Sequence, residues 1–492
     1  MKPRTAPTRF TSAPADVTPL PRLRLKFVAA LYNSDFRALW YAFICSSLIQ
    51  RMDGVMLGWL ILEMTDSAFL VGLIAAVRFL GALLGPVTGV VADRMDRRCL
   101  NIIALILMSA VVAVLTALVA TRQLQVWHLF AATTVGGIVW AFFQPAQQSL
   151  QADILSSREL TNGLSLTNMA MNLTSITGPM LGGLLLGCCR AAQRVWDWSD
   201  MEMILTLNWS DYNVQRMYAT TSQGNVLTSS DFGFSWEPAP FALPAATARA
   251  LAFDGAATGV QCTYIVMLSL YLIQLVCYTR IRPRSRERQP ADVSVWQNLR
   301  EGMHYVRRDA GLWTALGLAA LVNFVSFPMQ FNLLPIFARD VFSVGAAGLG
   351  MLGAALGVGA LLGSWLMMSI ATLQRAGLLM LLGTLLWQGF LLVFAITPTY
   401  DMALGVLVLL GIAQSLCLTS ISIMLLGTGQ SAMRGRLMGL RSLAVAPLFG
   451  GSMLSGVAAE HIGAPLTTIV CALIGLVLVV CIAPWVPRRM TG

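Results

Sequence analysis

Residues 101–120 read NIIALILMSAVVAVLTALVA and residues 465–484 read PLTTIVCALIGLVLVVCIAP. Neither run holds a charged side chain, and each, as a helix, is long enough to cross the roughly 30 Å of hydrocarbon in a bilayer. A helix satisfies its own backbone there, which an open strand does not. Ten further stretches follow the same logic, so the expected spans are Phe36–Leu62, Ala68–Ala92, Asn101–Thr121, Trp127–Gln144, Leu164–Cys188, Val260–Thr279, Leu312–Phe337, Ala347–Ile370, Ala376–Ile396, Met402–Leu426, Met438–Ala459 and Pro465–Val486. Composition agrees: 57% of the 492 residues are hydrophobic and 11% charged, against about a quarter charged in a soluble domain. The expected fold class is therefore an all-α membrane protein of twelve helices.

The net charge of +10 is distributed by membrane side and does not form a nucleic-acid patch. With both termini in the cytoplasm, 25 of the 33 Lys and Arg fall in cytoplasmic segments and six outside, while Arg51 and Arg78 fall within spans. This is the positive-inside pattern of a multi-pass cell-membrane protein, such as one of a bacterial inner membrane. Residues 1–35 read as a disordered cytoplasmic tail, 281–311 as a basic cytoplasmic linker facing anionic lipid, and 487–492 as a second tail. Cysteines lie mostly in apolar runs and the three histidines stand apart, so no metal and no cofactor are expected. No phosphate-binding loop is present, which argues against ATP drive, and no paired carboxylates with catalytic context appear, so no enzyme is expected.

The chain repeats itself. Gly72 is followed by Gly81-Ala-Leu-Leu-Gly85, and Gly350 by Gly359-Ala-Leu-Leu-Gly363, at the same internal spacing. Pro179-Met-Leu-Gly182-Gly183 in the fifth span is echoed by Pro447-Leu-Phe-Gly450-Gly451 in the eleventh. Two six-helix halves, 36–189 with helix 260–280 and then 312–486, follow from this duplication. Duplicated halves with a site between them suit a transporter in which one half rocks against the other. Gly81, Gly85, Gly182, Gly359, Gly363 and Gly450 are the expected small-residue contacts between halves, with ordinary packing inside a half as the alternative.

Two charges lie deep in one helical hairpin. Asp53 stands nine residues before the end of the first span and Arg78 ten residues into the second, about 14–15 Å below the same membrane face at 1.5 Å per residue. Equal depth makes them a candidate buried ion pair. Asp53 is then either the carboxylate that carries a proton, with Arg78 setting its affinity, or half of a permanent pair that fixes the hairpin. Gln50, Asn323, Gln330 and Gln414 are candidate lining groups of a substrate cavity, or else amides that bond neighbouring helices.

The turn after the second span reads Gly89-Val-Val-Ala-Asp93-Arg94-Met-Asp96-Arg97-Arg98. It resembles the signature between helices two and three of the major facilitator superfamily, and its Asp96 resembles the enterobactin-exporter-like efflux branch. Ala141-Phe-Phe-Gln-Pro-Ala146, Leu334-Pro-Ile-Phe-Ala-Arg-Asp340 and Arg434-Gly-Arg-Leu-Met-Gly439 support that likeness. The resemblance implies a cytoplasmic gate in which Asp93 pairs with basic groups such as Arg94, Arg97 and Arg98, with Gly89 in the turn. It also implies spans one, four, seven and ten around the cavity, an acidic position at Asp53, and proton-coupled antiport of a small amphipathic solute such as a siderophore or drug. Lysophospholipid movement or uptake is compatible with the same fold.

Residues 190–259 interrupt the helices on the outer side. They alternate like strands over Met203–Trp209, Arg216–Thr221 and Asn225–Ser229. Ser229-Ser-Asp231-Phe-Gly233-Phe-Ser235-Trp236 matches the Asp-box, a turn motif of sialidase-like propeller blades. A small extracytoplasmic β-insert that caps the outer mouth or touches a protein partner is expected, with Cys188 or Cys189 as a candidate bridge to Cys262. A non-transporting receptor using this insert as its sensor is the alternative from another class.

Overall fold

The computed structural model describes residues 30–81, 96–155, 157–191, 201–202, 217–221, 226–229, 237–238, 245–282, 295–370, 375–427, 440–441 and 443–486. The first half holds α1 (Ser34–Thr65), α2 (Ala68–Arg78), α3 (Arg97–Ala120), α4 (Val126–Ile154), α5 (Ser157–Ala191) and α6 (Ala245–Arg280). The second follows with α7 (Val295–Arg308), α8 (Ala310–Val325), α9 (Ala346–Ile370), α10 (Ala376–Ala395), α11 (Tyr400–Gly427) and α12 (Pro447–Ile482). Their starts are set locally: Asn33, Ser67, Asp96 and Asp309 each accept backbone N–H groups of the first turn of the helix they precede. Among the described residues nine helices are long and apolar enough to cross a membrane, and the 11 described residues of α2 form a shorter apolar helix.

Many of these helices are apolar on both faces. On α3, Leu105, Val112 and Leu115 are buried, while Ile106 and Val114 on the opposite side remain 54% and 57% exposed. Such a helix has no polar face for water, and its outer face is matched to lipid. α12 is two arms: Gly463 sits at φ 79, ψ 158, and Pro465 opens the second arm. α8 continues to Val341 through two π-helical stretches, Met329–Leu333 and Phe337–Val341. Within the expected basic linker, Met303, Val306 and their neighbours recur at helical spacing. Val306 is fully buried in the main core, so residues 295–308 fold as α7.

Between α5 and α6 the described residues include four short strands, β1 (Met201–Glu202), β2 (Met217–Thr221), β3 (Val226–Ser229) and β4 (Glu237–Pro238), antiparallel in that order. Ser229 ends β3; Asp231, Gly233 and Trp236 of the Asp-box lie outside the described residues, as do the side chains of Cys188 and Cys189.

The two halves meet along α2 with the first arm of α12, and along α5 with α9. The glycines that permit this are not the expected ones. A Cβ on Gly72 would lie 2.6 Å from Gly456 Cα, and one on Gly350 would lie 2.5 Å from Pro179 O and 2.9 Å from Gly183 Cα. Gly81 instead packs against Gly137 of α4, Gly182 against Met52 of α1, Gly359 and Gly363 against α11, and Gly450 near Phe324 of α8, all inside one half. Gly85 lies outside the described residues. The reason is angular: nine residues separate Gly72 from Gly81 and Gly350 from Gly359, and at about 100° per residue that is a half-turn to the opposite face. The repeat persists in these contacts, since Gly72 and Gly350 both face the other half, and Gly81 and Gly359 both face their own.

These approaches set a prediction. Gly72→Ala places a methyl against backbone on the facing helix and is expected to destabilise the fold by about 1–3 kcal/mol. Gly389, with no atom within 4 Å of its added Cβ, is expected to tolerate alanine or gain about 0.5–1 kcal/mol. Thermal unfolding followed by size-exclusion fluorescence reads both, and an unchanged melting point for Gly72→Ala would sink the interface assignment.

Candidate functional site

A cavity of about 750 Å³ lies within the first half, bounded by α1, α2, α3, α4 and α6, and Arg441 and Val445 reach it from the second half. Its apolar end is lined by Val112, Leu115 and Leu129, and its polar end by Ser46, Gln50, Gln144, Gln148 and Gln274. Asp53 and Arg78 lie between these ends. Arg78 Nη1 is 2.8 Å from Asp53 Oδ2, and its Nη2 donates to the Gln50 carbonyl at 3.1 Å. The side chains are 32% and 18% exposed, so the pair is reached from the cavity and is not sealed in the core. In low-dielectric surroundings each charge needs the other, and removing either leaves an uncompensated ion.

Of the four amides expected to line a cavity, Gln50 does so. Asn323, Gln330 and Gln414 do not line this one. Asn323 Nδ2 donates to Ala319 O one turn back on α8, and Gln330 Nε2 donates to Gln414 Oε1 at 3.1 Å. Polarity marked them correctly as unusual in apolar helices, but it does not reveal which face they occupy. Conversely, Gln144, Gln148 and Gln274 line the cavity and were not singled out by the sequence. Gln274 interrupts the run Leu272-Ile-Gln-Leu-Val276, the kind of signal that flags an intramembrane amide. Arg441, counted with the cytoplasmic arginines, also lines the cavity.

Gly89, Asp93 and Arg94 of the expected gate lie outside the described residues. Arg97 forms an ion pair with Asp153 at the end of α4, and Arg98 donates to the Tyr278 and Thr279 carbonyls near the end of α6. Both partners belong to the first half. Cations suit helix C-termini, whose last carbonyls lack partners. Asp96 is the N-cap of α3, accepting from Arg98 N and Cys99 N.

The opposite end of the molecule carries contacts that the sequence did not reveal. Glu460 of α12 accepts from Ser67 Oγ at 3.1 Å and from Phe69 N at 2.9 Å, so the second half caps the N-terminus of α2. Arg339 donates to Leu62 O at 2.9 Å and pairs with Asp66 at 2.5 Å, so the second half also caps the C-terminus of α1. An anion at a helix N-terminus and a cation at a C-terminus are both the favourable arrangement. The halves are thus latched at the α1–α2 turn.

Comparison with known proteins agrees with this architecture. The family model "Transmembrane secretion effector" matches residues 26–261, and "Major Facilitator Superfamily" matches residues 241–448. Macrolide efflux protein A of Streptococcus pyogenes is 25% identical over 158 residues, 31% of this chain and 39% of that protein. The uncharacterized MFS-type transporter YfiS of Bacillus subtilis is 27% identical over 104 residues, 21% of this chain and 24% of that one. The chain thus matches at most about two fifths of the length of these curated relatives. Among solved structures, a bacterial homologue of the human lysosomal transporter Spinster, inward-facing and unoccupied, superposes with TM-score 0.63 at 14% identity, covering 93% of this chain and 97% of that one. The nucleoside transporter NupG superposes with TM-score 0.62 at 12% identity over 92% and 98%.

The latch generates a prediction. Glu460→Gln removes a charge from two hydrogen bonds, and the loss is expected to speed amide exchange at Phe69 and Leu70 about tenfold. Hydrogen–deuterium exchange mass spectrometry of the full chain reads it, and unchanged protection of the start of α2 would show that the contact does not hold the halves together.

Proposed function

This chain belongs to the major facilitator superfamily, and on that premise we propose that it exports a small amphipathic solute by alternating access, driven by proton entry. It is a transporter and not an enzyme. The observation that carries the proposal is the Asp53–Arg78 pair on the wall of a drug-sized cavity. A carboxylate open to a cavity takes up a proton when its cation moves away and releases it when the cation returns. The efflux direction is supported by the likeness to a macrolide efflux protein.

Twelve spans with both termini cytoplasmic are part of this reading, supported by the charge distribution along the sequence and by the break at Gly463 that divides α12. The Arg339 and Glu460 latch then lies on the outer side, and the turn around Asp93 serves as the cytoplasmic gate. The four short strands between Met201 and Pro238 belong, on this reading, to an outer β-rich cap that faces the extracytoplasmic space and a protein partner there.

Solute accumulation in everted membrane vesicles with an imposed proton gradient tests the proposal, using macrolides, dyes, catecholate siderophores and lysolipids. We expect wild type to concentrate at least one of them. Asp53→Asn is expected to lower gradient-driven accumulation at least about tenfold while leaving solute exchange at equilibrium intact, because coupling and binding are separate steps. Equal gradient-driven accumulation by both proteins would remove Asp53 from coupling, and no accumulation by either would remove the export reading.

A further inference from the structure

The polar end of the cavity holds groups that the Asp53–Arg78 pair does not use. Gln274 is 1% exposed, and neither its Nε2 nor its Oε1 has a hydrogen-bond partner. A buried amide unsatisfied at both ends is costly, and such groups commonly mark a place where something polar binds. Arg441 lines the same cavity from the second half, and no acidic side chain pairs with it among the described residues. Asp53 is already bonded to Arg78. Among the described residues the charged side chains on the cavity wall are Asp53, Arg78 and Arg441, which together carry a formal net charge of +1.

The long dimension matters too. Leu129 at the apolar end and Gln144 at the polar end are fifteen residues apart on α4, about 22 Å along the helix. The space therefore suits an elongated molecule, apolar along most of its length and polar at one end.

We propose that this cavity selects amphipathic monoanions, with Arg441 and Gln274 receiving an oxyanion headgroup while the apolar body lies along α3 and α4. The guanidinium supplies charge-assisted hydrogen bonds and the amide N–H₂ a further donor. Because Arg441 belongs to the second half and the rest of the headgroup site to the first, a bound anion bridges the halves and favours the arrangement that brings them together. The inference rests on the transport reading and names its solute class. It differs from a cation-selective cavity, in which Asp53 would be the recognition group.

The test is competitive displacement of dansylaminoundecanoic acid from the purified full-length protein in nanodiscs. Dodecanoate, dodecyl phosphate, methyl dodecanoate and dodecylamine share one tail and differ in headgroup. We expect either oxyanion to displace the probe at least about tenfold more tightly than the ester or the amine. The ranking of dodecanoate against dodecyl phosphate then tells a carboxylate from a phosphate headgroup. Arg441→Gln is expected to abolish the preference, and Arg441→Lys, which keeps the charge, to retain most of it. Gln274→Leu is expected to weaken the oxyanions about threefold. Equal displacement by all four compounds, preference for dodecylamine, or an anion preference that survives Arg441→Gln would each overturn the proposal. Vesicle accumulation separates the two readings. Neutral solutes accumulated without any anion preference in displacement would leave transport standing and remove this site. Anion preference without accumulation of any solute would do the reverse.

Discussion

The arrangement of the two halves depends on backbone-to-backbone approach at Gly72 with Gly456, and at Gly183 with Gly350. In a bilayer, apolar surface gains little by leaving lipid for another helix, so close packing has to supply the attraction. Close packing requires small residues, and side chains of any size at these four positions would hold the helices apart. The two contacts are related by the internal repeat: α2 and α9 are equivalent helices, and each presents the first glycine of the repeated motif, Gly72 or Gly350, to the other half. Because both contacts use the same device, the interface has two matching seams, and neither seam interlocks through a large side chain at these glycines.

Charge inside the membrane is the second constraint. Arg78 is held by Asp53 and by the Gln50 carbonyl, so its guanidinium is bonded on two sides to α1. The arrangement ties the first helical hairpin together and leaves the carboxylate facing the cavity. The Arg97–Asp153 pair and the Arg98 contacts with α6 fix the other end of the same half. These bonds are internal to one half and tie its helices to one another.

Much of this was legible in the sequence. Apolar runs of about twenty residues marked the helices because a helix satisfies its own backbone in lipid. The Asp53–Arg78 pair followed from counting residues, since helical rise converts position into depth. Face was harder to read: nine residues carry a glycine from one side of a helix to the other, so Gly72 and Gly81 were equally visible while only one faces the second half. Arg441 and Arg339 were hidden by the rule that explained the other arginines. Cations near helix ends mark sidedness on average, and that average says nothing about the one that turns into a cavity or caps a neighbouring helix. Asn323, Gln330 and Gln414 were conspicuous for their polarity, and in this structure Asn323 bonds its own helix while Gln330 and Gln414 tie α8 to α11.

The latch at the α1–α2 turn joins local helix chemistry to global motion. The end of α1 and the start of α2 each have unsatisfied backbone groups, as every helix terminus has. Ser67 serves the start of α2 from within the hairpin, accepting from Leu70 N. Further bonds to these termini come from Arg339 and Glu460, which belong to the other half. Parting the halves here would expose helix termini as well as break the Arg339–Asp66 ion pair. Water is able to satisfy those termini once the halves part, so the lost bonds are replaced and the open state is not left with buried orphans. A latch built from helix caps is for that reason reversible at modest energetic cost. A latch built from ions sealed in the core would lack that property, because its separated charges would remain in a low-dielectric interior.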